Sequence, residues 1–133
     1  MNGERFWYES ARSELAPLEQ LRTRRLLARV DISYARHLAS RSTDPRFALE
    51  EALGAAEPLI AREPRDAALL RLRADARLEL ARWERRQGRP WREHAAQAVA
   101  DYDAALRLVA SDVAGARGRK RAERLLASPS ASE

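Results

Sequence analysis

Apolar residues recur at three- and four-residue intervals along most of this chain, the spacing of one helix face. Over residues 18–41 the series is Leu21, Leu26, Val30, Tyr34, Ala35 and Leu38, which predicts a long first helix. It stops at Ser42-Thr43-Asp44-Pro45. There Asp44 can accept from the free amides of a following helix, and Pro45 suits its first position, where a missing N–H costs nothing. Residues 45–62 continue with Phe47, Leu49, Ala52, Leu53, Ala56, Leu59 and Ile60; Pro58 is awkward there, because an internal proline removes a ladder bond. Glu63-Pro64-Arg65-Asp66 reads as a turn. Residues 67–87 then carry Leu70, Ala74, Leu78, Ala81 and Trp83 on one stripe. Gly88 suits the left-handed residue that ends a helix, and Pro90 the start of the next. Residues 91–109 bring Ala95, Ala98, Val99, Tyr102, Ala105, Leu106 and Val109, and a more basic helix is expected over 112–127.

The pattern repeats. Shifting residues 35–66 by 46 places Ala35-Arg36-His37 on Ala81-Arg82-Trp83, Ala52-Leu53 on Ala98-Val99, Ile60 on Leu106 and Asp66 on Asp112. Further back, Leu26 meets Leu72, Ala28 meets Ala74 and Ile32 meets Leu78. Each unit reads as a helical hairpin, and hairpins that cannot bury their faces alone stack on their neighbours. The expected organisation is a partial repeat over 1–16, repeats over 17–64 and 65–111, a capping helix over 112–127 and a disordered tail over 128–133. Taken together this is an all-α fold of about six helices, without strands, in stacked antiparallel hairpins.

Composition agrees with helices. Ala, Leu, Arg and Glu dominate, and these lose little side-chain freedom in a helix. With 45% hydrophobic and 34% charged residues the chain has the balance of a globular domain. It has no cysteine, which excludes disulfides, thiolate metal sites and cysteine nucleophiles. No run nears the ~20 apolar residues of a membrane span, and no secretory leader follows Asn2-Gly3-Glu4-Arg5, so a cytoplasmic location is expected. The net charge of +5 falls wholly in residues 67–133, with 14 Lys and Arg against 9 acids; residues 1–66 balance 11 Arg with 11 acids.

The second helices carry a recognisable spacing. Ala98, Tyr102, Ala105 and Ala110, and in the first unit Ala52, Ala56, Leu59 and Pro64, resemble the small–aromatic–small–proline series of the tetratricopeptide repeats. The first unit lacks the aromatic, and Leu70 and Ala74 replace the family's usual Trp and Gly in the first helix. The period of 46 also exceeds the family's ~34 residues. Asp44-Pro45, Arg89-Pro90 and Ala81-Arg82-Trp83-Glu84 give this long unit the look of repeat tails behind bacterial serine/threonine kinase domains. The resemblance covers residues 18–127. It implies a right-handed superhelix and a scaffold for another protein or peptide, with a kinase domain or signalling protein as partner.

Catalytic chemistry is hard to find. A kinase's glycine-rich loop, paired lysine and Asp-Phe-Gly are absent, and Pro64-Arg65-Asp66 lacks the histidine and asparagine of a catalytic loop. Gly115-Ala116-Arg117-Gly118-Arg119-Lys120 has the wrong spacing for a phosphate loop and no preceding strand. His37 and His94 occupy non-equivalent repeat positions without a second histidine at helical spacing, so no metal ligation is expected. Asp101 and Asp103 point in different directions on a helix and read as solvated charges flanking a buried Tyr102. The expectation is a non-enzymatic chain with no cofactor and no metal.

Binding residues are sought instead on the first-helix faces: Arg29, Ser33, Arg36, Asp75, Arg77 and Arg82 as groove residues, with Trp83 and Trp91 as anchors beside arginines, a pairing enriched at interface hot spots. The favoured reading of Trp83 and Trp91 is that they pack together and brace the turn between them, the anchor role being the alternative. Phe6-Trp7-Tyr8 cannot all face one core, which hints at an interface. The rival function is non-specific nucleic-acid binding through Arg117, Arg119, Lys120, Arg121 and Arg124; interleaved glutamates elsewhere make nucleic acid the weaker expectation.

Overall fold

The computed structural model describes residues 17–129, with five helices: α1 (Pro17–Ser40), α2 (Arg46–Arg62), α3 (Ala67–Arg86), α4 (Arg92–Leu108) and α5 (Val113–Ala127). They pack as sequential antiparallel neighbours, and no strand occurs among the described residues. Contacts also join α1 to α3 and α3 to α5, so the odd-numbered helices make one layer, with α2 and α4 filling the other side. The sixth expected helix, over 1–16, and the last four residues of the expected tail lie outside the described residues.

The 46-residue period is reproduced in detail. α2 and α4 each have 17 residues and start 46 apart; α1 and α3 end 46 apart, and α3 and α5 begin 46 apart. Equivalent pairs are buried together: Ala28 with Ala74, Ile32 with Leu78, Ala35 with Ala81, Leu49 with Ala95, Ala52 with Ala98, and Ala56 with Tyr102. A polar device repeats as well. Asp66 caps α3 by accepting from the Leu69 amide, and Arg25 bonds to it at 2.5 Å. One period on, Asp112 caps α5 by accepting from the Gly115 amide while Arg71 donates to both carboxylate oxygens at 2.8 and 2.9 Å. At both aspartates burial opposes the charge, but the capping amide and then the arginine outweigh it and hold the carboxyl below its ordinary value. The ends of α1 and α3 also match. Thr43 N–H donates to Leu38 C=O and Arg89 N–H to Glu84 C=O, closing the same C-terminal turn through positive-φ residues Ser42 and Gly88.

Several expected details shift. Leu26, Val30 and Tyr34 are exposed; the buried face of α1 is Ala28, Ile32 and Ala35. Apolar residues nearly encircle this helix, so periodicity alone could not choose the face that α2 and α3 cover. Pro45 and Pro90 stand before the helices, not at their first positions, because the next hydrogen-bonded turns open at Arg46 and Arg92. Asp44 still accepts from the Arg46 amide. α2 continues through Pro58; its missing N–H leaves the Gly54 carbonyl without a helix partner, and both residues are exposed, where water can satisfy it. At the other terminus Ser128 and Pro129 are held: Arg92 donates to the carbonyls of Leu126 and Ser128, and Arg85 to that of Pro129.

Candidate functional site

α3 is the central helix, and its side chains divide between two faces. Towards α2 and α4, Arg73 donates to both oxygens of Asp101 at 2.9 and 2.8 Å and to Glu57, and Arg77 reaches Asp101 at 2.7 Å. Asp101 is buried, which the expectation of a solvated charge did not foresee: residues 73 and 77 are one turn apart on α3 and present two guanidiniums to it. Asp103 pairs with Arg119 at 2.7 Å.

The other face of α3 opens on a cleft of about 650 Å³, bordered by Arg36, Ala39 and Ser40 of α1, Tyr102 of α4, and Arg121 and Leu125 of α5. α3 contributes Asp75, Leu78, Glu79, Arg82, Trp83, Arg85 and Arg86. Five arginines thus surround two carboxylates. Both carboxylates are committed within the fold. Glu79 is buried and accepts from Arg36 at 3.1 Å and Arg82 at 3.2 Å. Asp75 accepts from the Tyr102 hydroxyl. Burial pushes the Asp75 carboxyl above its ordinary range, the tyrosine bond pulling the other way. Burial, and then the charge of Asp75, push the Tyr102 hydroxyl upward as well, so it stays protonated and donates. Arg121 makes no ion pair among the described residues. A second concavity of about 340 Å³ continues along α1 and α3 past Arg25, Arg29, Ser33 and Arg71, and shares Arg36 and Asp75 with the first.

No family model, curated protein or solved structure matches this chain. The cleft is therefore read from its own chemistry.

Of the residues singled out from the sequence, Arg29, Ser33, Arg36, Asp75, Arg82 and Trp83 line these two joined concavities. Arg77 and Trp91 are elsewhere. Arg77 faces α4 and α2 in the Asp101 network, and Trp91 is buried with Ala81 and Ala95 against Leu125 and Leu126. Each indole is covered by cations: Arg86 lies 5.3 Å from the Trp83 ring, while Arg85 and Arg92 lie 5.6 and 4.6 Å from Trp91. Glu79, Tyr102 and Arg121 also line the cleft but were not among the expected groove residues; Arg121 was expected only in the basic patch and Tyr102 only in the core. The repeat register held the signal for two of them, since Arg29, Asp75 and Arg121 are successive 46-residue equivalents, as are Ser33, Glu79 and Leu125.

The two glycines of α5 have packing roles. A Cβ on Gly115 would stand 2.9 Å from Oδ2 of the capping Asp112, and one on Gly118 would collide with the Tyr102 ring. Among the described residues no cluster of three or more His, Asp or Glu could hold a metal ion, and no helix is long and apolar enough to cross a membrane.

Proposed function

We propose that this chain is a tetratricopeptide-like, non-enzymatic helical repeat module that binds another protein, receiving an acidic peptide or helix in the cleft between α1, α3 and α5. One observation carries the reading: five arginines converge there on an apolar floor of Leu78, Trp83 and Leu125, and the two carboxylates among them are already bonded within the fold. Such a surface attracts carboxylates and rewards an apolar anchor between them. The repeat spacing supports the tetratricopeptide-like assignment, and through it a cytoplasmic signalling role with a kinase domain or signalling protein as partner. The second reading, nucleic-acid binding, rests on Arg117, Arg119, Lys120, Arg121 and Arg124, which are all exposed on α5, Arg119 being paired with Asp103 and Glu123.

The test is fluorescence anisotropy with a labelled peptide alternating Glu and Leu, beside a labelled DNA duplex. Arg121→Glu is the cleanest variant, because Arg121 makes no ion pair among the described residues; Arg82→Glu adds a second reversal. Saturable peptide binding that weakens about tenfold in the double variant, near 1.4 kcal/mol, is the expected result. Unchanged peptide affinity would remove the cleft hypothesis. Duplex binding without peptide binding, lost steeply with salt, would favour the basic helix instead.

A further inference from the structure

The turn from α4 to α5 differs from its counterpart between α2 and α3. Leu108, Val109 and Val113 stand there 41%, 44% and 62% exposed, where the preceding unit has Arg62, Glu63 and Ala67. Val109 also borders a shallow depression with Pro64, Ala67 and Ala68, which extends the apolar surface toward the neighbouring turn. From Val113 one outward stripe runs along α5. Arg117, Lys120 and Arg124 follow it at four, seven and eleven residues, all exposed, on the side opposite the buried Gly115, Gly118 and Ala122. The stripe spans roughly 16 Å. The nearby acids are committed elsewhere: Asp112 pairs with Arg71, and Asp103 and Glu123 both pair with Arg119, whereas Arg117, Lys120 and Arg124 make no ion pair among the described residues.

We propose that this surface docks on an anionic lipid bilayer, with Leu108, Val109 and Val113 entering between headgroups while Arg117, Lys120 and Arg124 lie along their phosphates and carboxylates. Geometry supports it. Val113 and the three cations share one helix face, so a plane can touch all of them at once. Chemistry supports it as well. Each cation near such a surface adds to the attraction, and the aliphatic side chains gain by leaving water for the acyl boundary. Either contribution alone gives weak, reversible binding; here the two stand at one end of one helix. Nucleic acid would use the cations but gain nothing from three aliphatic side chains. The two aromatics of residues 91–127 that could stack on bases, Trp91 and Tyr102, are buried. None of Leu108, Val109, Val113, Arg117, Lys120 and Arg124 borders the cleft, so the assignment does not rest on the cleft's function.

The test is co-sedimentation of the full chain with vesicles of phosphatidylcholine and phosphatidylserine in equal parts, beside vesicles of phosphatidylcholine alone. Binding to the anionic vesicles only, weakening as salt rises, is the expected result. Lys120→Glu/Arg124→Glu should lower the partition coefficient at least about tenfold. Leu108→Ser/Val113→Ser, which leaves the charge unchanged, should lower it at least about threefold. A second readout needs neither variant: because the chain has no cysteine, an environment-sensitive fluorophore can be placed at Val113→Cys alone, and its emission should shift to the blue with anionic vesicles. No sedimentation with anionic vesicles, equal sedimentation with both kinds, or an unshifted fluorophore would overturn the proposal. Leu108→Ser/Val113→Ser binding as the parent does, while a DNA duplex displaces the vesicles, would assign the cations to nucleic acid and overturn it equally.

Discussion

Where α3 carries Ala74 and Leu78, buried against its neighbours, α5 carries Lys120 and Arg124, both exposed. Where α3 carries Leu72, Ala76 and Leu80, also buried, α1 carries Leu26, Val30 and Tyr34 in the open. The same helix template therefore ends differently at its two ends. At α5 the face that would meet a following hairpin has been rewritten in charge, which is how a stack is closed against water. At α1 the face that would meet a preceding hairpin keeps its apolar side chains. The outward faces of α5 and α1 thus differ in kind, one charged and one apolar, although both derive from the same helix template.

The sharpest way to break this comparison is to transplant the α5 residue into α3. Leu78→Arg places a cation in the Tyr102 core without a partner, and a loss of at least about 3 kcal/mol in urea unfolding is expected. The reciprocal Arg124→Leu stays within about 0.5 kcal/mol, because Arg124 is exposed. Next in size is Gly118→Ala, which forces a methyl into the fully buried Tyr102 ring and should cost about 1–3 kcal/mol. Gly54→Ala, with no atom near its Cβ on an exposed helix side, should be neutral or stabilise by ~0.5–1 kcal/mol. Were the two to behave alike, close approach would not be what holds α5 on α4.

The smallest of the three effects sharpens the comparison through the repeated caps. Asp66→Ala and Asp112→Ala should each cost ~0.5–2 kcal/mol at neutral pH, measured by chemical unfolding. Both native carboxyls lie below their ordinary value, so their stabilisation is complete above about pH 4 and is lost as pH falls through the depressed folded value. Each alanine variant should therefore show a shallower loss of stability on acidification than the parent. Asp75 has the opposite sign: its raised carboxyl gains a proton on folding more readily than unfolded, so it partly offsets the acid loss. A parent and variant with parallel acid profiles would show that the caps do not carry the pH dependence.

Much of the architecture was legible because its determinants are local or periodic. Asp66 and Asp112 stand where capping side chains must stand, Gly88 takes positive φ, and the 46-residue offset aligns helix ends to the residue. Arg36 and Arg82, both expected on the first-helix faces, are register equivalents and meet on Glu79. What escaped was pairing between distant side chains. Asp101 looks like a surface acid in any window of its own helix, and only the approach of Arg73 and Arg77 makes it a buried centre. Arg77 and Trp91 left the candidate site for that reason, one turned to Asp101 and the other into the core under α5.

The amino-acid order by itself determined the helices, their boundaries, their period and the positive charge of the last one, because hydrophobic spacing, caps and breakers act over a few residues at a time. Tertiary structure alone decided which of α1's apolar faces its described neighbours cover, which arginines bond internal carboxylates and which, like Arg121, face the cleft without an ion pair among the described residues. A helix sequence specifies several faces at once; its neighbours in space, contributed from ~40 residues away, select among them by excluding water from one and leaving it at another.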